Sequence, residues 1–148
     1  MNIRIYKCPD KELKKQIKNL TITTLETLVP SKRVLDNTSV SIKLDHKFLS
    51  DKNAWGMCWW NDKNINPRDF SIIIDENLCP RAFKKTLIHE LIHIKQYLLN
   101  ELKDFSSGQI KWKSEIFEES EDCKVILKFP WEKEAFKLSE KLYIRLCT

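Results

Sequence analysis

The chain is predicted to fold as a single α+β domain over residues 1–148, with a small antiparallel or mixed sheet packed on helices. Three observations predict this. Apolar residues recur at helical spacing over 10–28, from Pro80 to about Leu102, and over 130–146. Between the first two of these segments, 39–45, 54–60 and 70–75 read as strands. Between the last two, 110–117 and 123–129 read as a hairpin or two short extended segments.

The elements follow in order. In 10–28, Leu13, Ile17, Leu20, Leu25 and Leu28 make an apolar stripe, with Asp10 as an N-cap candidate and Pro30 as a stop. In 39–45, Val40, Ile42 and Leu44 alternate with polar residues, the pattern of a half-buried strand. The stretch 61–69, NDKNINPRD, is turn chemistry between two strands. Pro80 suits the first turn of a helix, because its missing N–H would have no intrahelical partner there. Residues 103–109 end that helix, with Gly108 in the turn. Pro130 and the acids after it suit the N-terminus of the last helix.

The chemistry is concentrated in the middle helix. His89 and His93 are four apart, so they stand one above the other on the same face and can hold two corners of one metal ion. Glu90 lies between them and can reach a water on that ion, which makes it the candidate general base. With His89 at zero on a helical wheel, His93 falls at about 40°, Gln96 at about −20° and Tyr97 at about 80°. Gln96 and Tyr97 are therefore candidates for supporting the ligands or binding substrate. The remaining faces are apolar. A core helix with two ordinary His is the plain alternative, and buried His would need partners in that case too.

A catalytic zinc wants three protein ligands and an open position. The other His in the chain is His46, upstream. Downstream, Glu115, Glu118, Glu119, Glu121 and Asp122 form an acidic stretch that reads as solvated. Glu132 and Glu134 lie at the start of the last helix, about 200° apart, so only one of them can face the His pair. Wheel geometry does not choose between these two. Tyr97, Tyr143, His46 and Lys95 are the candidate donors to a developing oxyanion.

H-E-x-x-H is the zincin metallopeptidase signature. The segment HELIHIKQY resembles the HExxHxxQ form of SprT-like and phage-encoded metallopeptidase-like proteins. FPWEKEAF resembles the PWExEA segment of small phage proteins of that kind. It also resembles the E-x-E-A segment of ImmA/IrrE-like peptidases, where the Glu directly before Ala is the third zinc ligand. The resemblance covers residues 70–140 at best. It implies a zincin-like fold with the HExxH active-site helix and a C-terminal ligand-bearing helix. One zinc ion per chain would be held by His89, His93 and Glu134, with Glu132 as second choice and Glu90 as base. It further implies that FSIIID is the sheet edge on which an extended peptide substrate is added as another strand. No His follows His93, which departs from SprT-like proteases. No helix-turn-helix of the kind that accompanies ImmA/IrrE-like proteins is visible.

Bulk properties bound the rest. The composition, 42% hydrophobic and 32% charged, is that of an ordinary globular chain. No apolar run approaches the length of a membrane span, and the N-terminus has no apolar signal region. Five scattered Cys, with no C-x-x-C pair, read as reduced thiols, and a cytoplasmic location inside a cell, such as a virus-infected host cell, is expected. A net charge of +5 allows nucleic acid as a partner but is also what a solvated lysine surface gives. Two functional classes follow. One is a zinc metallopeptidase acting on a protein or peptide. The other is a non-catalytic metal-binding zincin scaffold that serves as a protein-interaction module. The intact Glu90 favours the enzyme. Oligomeric state is not encoded in any of these patterns.

Overall fold

A computed structural model describes residues 1–45, 54–105 and 107–148; His46 lies outside them. The described elements are β1 (Asn2–Tyr6), α1 (Lys11–Leu28), α2 (Lys32–Asp36), β2 (Ser39–Asp45), β3 (Gly56–Trp60) and β4 (Asp69–Asp75). They continue with α3 (Pro80–Leu98), β5 (Leu102–Asp104), β6 (Gln109–Trp112), β7 (Glu115–Glu118), α4 (Cys123–Ile126) and α5 (Pro130–Cys147). The chain is α+β, as its pattern predicts.

Four strands form a mixed sheet in the order β1-β2-β4-β3. The strands β1, β2 and β4 are parallel, and β3 joins β4 antiparallel. The alternation of β2 places Val40, Ile42 and Leu44 on one face, in register with Phe70, Ile72 and Ile74 of β4. All six are buried, and they meet Ile17 and Leu25 of α1 and Leu87, Leu91 and Ile94 of α3. That contact between sheet and helices is the main core.

Helix α1 begins where expected. The Asp10 carboxylate accepts from the backbone N–H of Glu12 at 2.9 Å and of Leu13 at 3.2 Å. Helix α3 starts with Pro80 in its first turn and stops at Leu98, earlier than its apolar pattern suggests. Asn100 takes a left-handed conformation with φ 59°, and Leu102 then pairs with Trp112 in a second sheet. Besides its sheet-facing side, α3 buries Ile88 and Ile92 against Ala135 and Leu142 of α5.

The second sheet has the order β5-β6-β7. Its β6–β7 hairpin turns at Lys113, φ 54°, so the hairpin lies within 109–118 and not between 110–117 and 123–129. Leu102 and Trp112 from this sheet pack against Trp131 at the start of α5, with Phe117 and Phe129 around them. Trp112 and Trp131 are thus core residues, whereas Trp55 is 63% exposed.

Two expectations are corrected. Residues 123–126 are not extended: Asp122 accepts from the N–H of Lys124 at 2.9 Å and caps one helical turn. FSIIID is not an edge, because β4 has β2 on one side and β3 on the other. Among the described residues the edges of that sheet are β1 and β3. Two elements carry no expectation, the parallel edge strand β1 and the short helix α2, whose first turn is capped by the Ser31 hydroxyl.

Candidate metal centre

Helices α3 and α5 lie antiparallel. Lys85 near the start of α3 meets Glu140 late in α5 at 2.6 Å, and Lys95 near its end meets Glu134 early in α5 at 2.8 Å. Two residues before Glu134, in the first turn of α5, Glu132 faces the two His of α3, which lie between Lys85 and Lys95 in sequence. Glu132 Oε2 lies 3.3 Å from His89 Nε2, and its Oε1 lies 3.1 Å from His93 Nε2. The two Nε2 atoms are 3.2 Å apart. The described group with metal-ligand chemistry is therefore His89, His93 and Glu132.

The spacing of these atoms has a simple physical reading. Zinc holds imidazole nitrogen and carboxylate oxygen at roughly 2.0–2.1 Å in tetrahedral geometry, which sets neighbouring ligand atoms roughly 3.3–3.4 Å apart. The observed separations, 3.1–3.3 Å, are close to that edge, with the two Glu132 distances taken from its two different carboxylate oxygens. With neutral imidazoles all three groups can turn lone pairs inward, so together they can hold a metal ion. Without an ion these groups pair electrostatically with one another. Burial disfavours the charged form of His93, but the hydrogen bond and charge of Glu132, aided by Glu90 and Gln96, outweigh it and carry the imidazole to about 9. Burial pushes the Glu132 carboxyl up, but the two His outweigh it and hold the group at about 2.

Glu90 sits beside this group, 7% exposed. Burial raises its pKa, His93 and His89 oppose that rise, and Glu132 adds to it. Such a carboxylate is more basic than one in water. Strand β3 is pressed against it. A Cβ built on Gly56 would stand 2.7 Å from Thr86 Cγ2 and 3.2 Å from Glu90 Oε1. Phe136, half exposed on α5, lays its ring 4.5 Å from that of His89 and walls the other side.

Glu134, the ligand implied by the sequence resemblance, lies apart from the His89, His93 and Glu132 group. The Glu134 Oε1 atom accepts from Lys95 Nζ at 2.8 Å and from Gln96 Nε2 at 3.2 Å. Burial raises its pKa, and the hydrogen bonds and charge of Lys95 with Gln96 more than reverse that. Gln96 is fully buried and touches His93, as a supporting residue should. Tyr97 is packed between Trp60 and Phe70 and donates its hydroxyl to Asp104 at 3.1 Å, so it is not gathered with the ligands. Lys95 is committed to Glu101 and Glu134, both at 2.8 Å. Tyr143 lies under Arg81 and Lys85 toward the far end of the helix pair.

Sequence reasoning did not single out Gly56 or the Lys95 ion pairs. Gly56 had a usable signal, since the chain has only two glycines and one of them interrupts an apolar strand. All five Cys are free thiols. No described helix is long and apolar enough to cross a membrane. No protein-family model, curated protein or solved structure matches the chain.

Proposed function

We propose that the protein is a zinc-dependent peptidase of zincin type, with His89, His93 and Glu132 as ligands and Glu90 as general base. The observation that supports this most is the convergence of His89, His93 and Glu132 into one group that can hold a metal ion, with the buried Glu90 carboxylate next to it. A zinc ion there would polarise a peptide carbonyl and make a water acidic near neutral pH. The residues of the chain do the rest. Glu90, its basicity raised by burial, takes a proton from the attacking water and returns it to the leaving amine. His89 and His93 supply neutral imidazole donors, and Glu132 supplies the charge that makes the site prefer a cation. The edge strand β3, next to Glu90, offers backbone groups to an extended chain. This role passes to β3 from FSIIID because β4 is interior.

The test is metal content of protein purified without added metal, together with hydrolysis of a denatured protein substrate. About one zinc per chain is expected in the wild type and in Glu134→Ala, and loss of zinc in Glu132→Ala. Glu90→Gln is expected to keep the metal and lose hydrolysis. Zinc retained in Glu132→Ala would overturn the ligand assignment. A metal-loaded wild type that cleaves nothing in a peptide-library screen would favour the binding-module reading.

A further inference from the structure

We infer that Gln96 is the positioning residue of this site, an inference that rests on the metal-site reading. One carboxamide performs two tasks. Its Nε2 donates to the Trp131 carbonyl at 2.9 Å and to Glu134 Oε1 at 3.2 Å. Both partners can only accept, so the amide orientation is fixed and Oε1 is left facing His93 Nδ1 at 2.9 Å. An oxygen acceptor there requires the hydrogen on Nδ1. Neutral His93 therefore presents the bare lone pair of Nε2 toward His89 and Glu132, the tautomer a metal needs.

The other task concerns Glu132. Trp131 precedes it in the first turn of α5, a turn whose N-cap residue, Phe129, contributes no side-chain cap. The Gln96 bond to the Trp131 carbonyl ties that turn to α3, three residues past His93. Trp131 is further seated against Trp112, Phe117 and Phe129. Thus the side chain that selects the His93 tautomer also sets where Glu132 stands. Gln96 is 0% exposed, so water cannot take over either bond.

The experiment is zinc affinity by chelator competition and the visible spectrum of the cobalt(II) form, on the full chain. Wild type is compared with Gln96→Met, Gln96→Glu and the core control Ile42→Val. Gln96→Met keeps the length but not the bonds; zinc is expected to bind 10- to 100-fold more weakly, with altered cobalt bands. Gln96→Glu still accepts from Nδ1 but loses both Nε2 bonds and sets a second carboxylate beside Glu134, so zinc is expected to bind about tenfold more weakly than in the wild type. Ile42→Val lies in the sheet core and is expected to melt earlier with affinity and spectrum unchanged. Wild-type affinity and spectrum in Gln96→Met would overturn this inference alone, as would an equal loss in Ile42→Val. If Gln96→Met does not fold, Gln96→Glu decides, and wild-type affinity and spectrum there refute the role in placing Glu132. A wild type that binds neither ion refutes the metal-site reading itself.

Discussion

Gly56→Ala is the most informative perturbation of the β3–α3 contact. The added methyl would meet Thr86 Cγ2 at 2.7 Å and Glu90 Cγ and Oε1 at 3.3 and 3.2 Å. Carbon atoms rest roughly 3.5–4.0 Å apart, so about 1 Å of movement is needed. Thr86 is buried within a helix, and its β-branched side chain is stiff about χ1. Strand β3 is held in turn by its ladder to β4, with Gly56 opposite Ile74. Overpacking of this kind costs about 1–3 kcal/mol. At about 2–4 °C per kcal/mol for a chain of this size, the melting temperature is expected to fall by roughly 2–12 °C. Thr86→Ser removes the colliding methyl, so the double variant should recover about 1 kcal/mol relative to additivity in urea unfolding. Hydrolysis should drop by about 100-fold if Glu90 is the group displaced, since about 1 Å is enough for such a loss. Zinc affinity should hold, because neither clashing residue is a ligand. A variant that melts with the wild type, or a cycle that closes within about 0.5 kcal/mol, would refute the close approach.

Other outcomes follow from the same geometry. In the metal-free protein, His93 is raised from 6.5 to about 9, so its contribution to stability is complete below 6.5 and lost as pH rises through about 9. Glu132 is lowered from 4.5 to about 2, so its contribution is complete above 4.5 and lost as pH falls through about 2. This pair should therefore support the metal-free fold most between about pH 4.5 and 6.5, as read by urea midpoints across pH. Added zinc should move that optimum upward, because metal and proton compete for the same imidazoles. Ile42→Ala, in the fully buried sheet core, is expected to cost about 2–5 kcal/mol in chemical unfolding. Asp10→Ala removes both cap bonds of α1 and should cost about 1 kcal/mol, a melting shift of a few degrees.

The fold was legible wherever its cause is local. Strand β2 follows from the alternation of Val40, Ile42 and Leu44, and the start of α1 from the Asp10 cap. Strand β1 has only Ile3 and Ile5 as pattern. It is a strand because it pairs in parallel with β2, a partner more than thirty residues away. Residues 123–126 look extended by their β-branched and apolar content, but the Asp122 cap and their exposure make a helical turn sufficient. In the site, the His pair and Glu90 are set by helical spacing. The choice between Glu132 and Glu134 is not, because the two lie on opposite edges of α5. It is decided by how α5 is rotated against α3, and Lys95 with Gln96 fixes that rotation by claiming Glu134. The strand order is equally non-local, so whether FSIIID lies inside or at the edge could not be read from its residues.

The path of the chain between ligands has a topological consequence. His93 and Glu132 are separated by the whole β5-β6-β7 sheet and α4. An ion shared by them would close a loop of about 40 residues, a cross-link worth about 4 kcal/mol by the chain-entropy relation for such a length. A chain without described disulfides would gain from it the restraint that a disulfide gives elsewhere. Chelation would then act at a distance. The β5-β6-β7 hairpins, which supply no ligand, should become the first segment open to limited proteolysis, while the β1-β2-β4-β3 sheet stays protected.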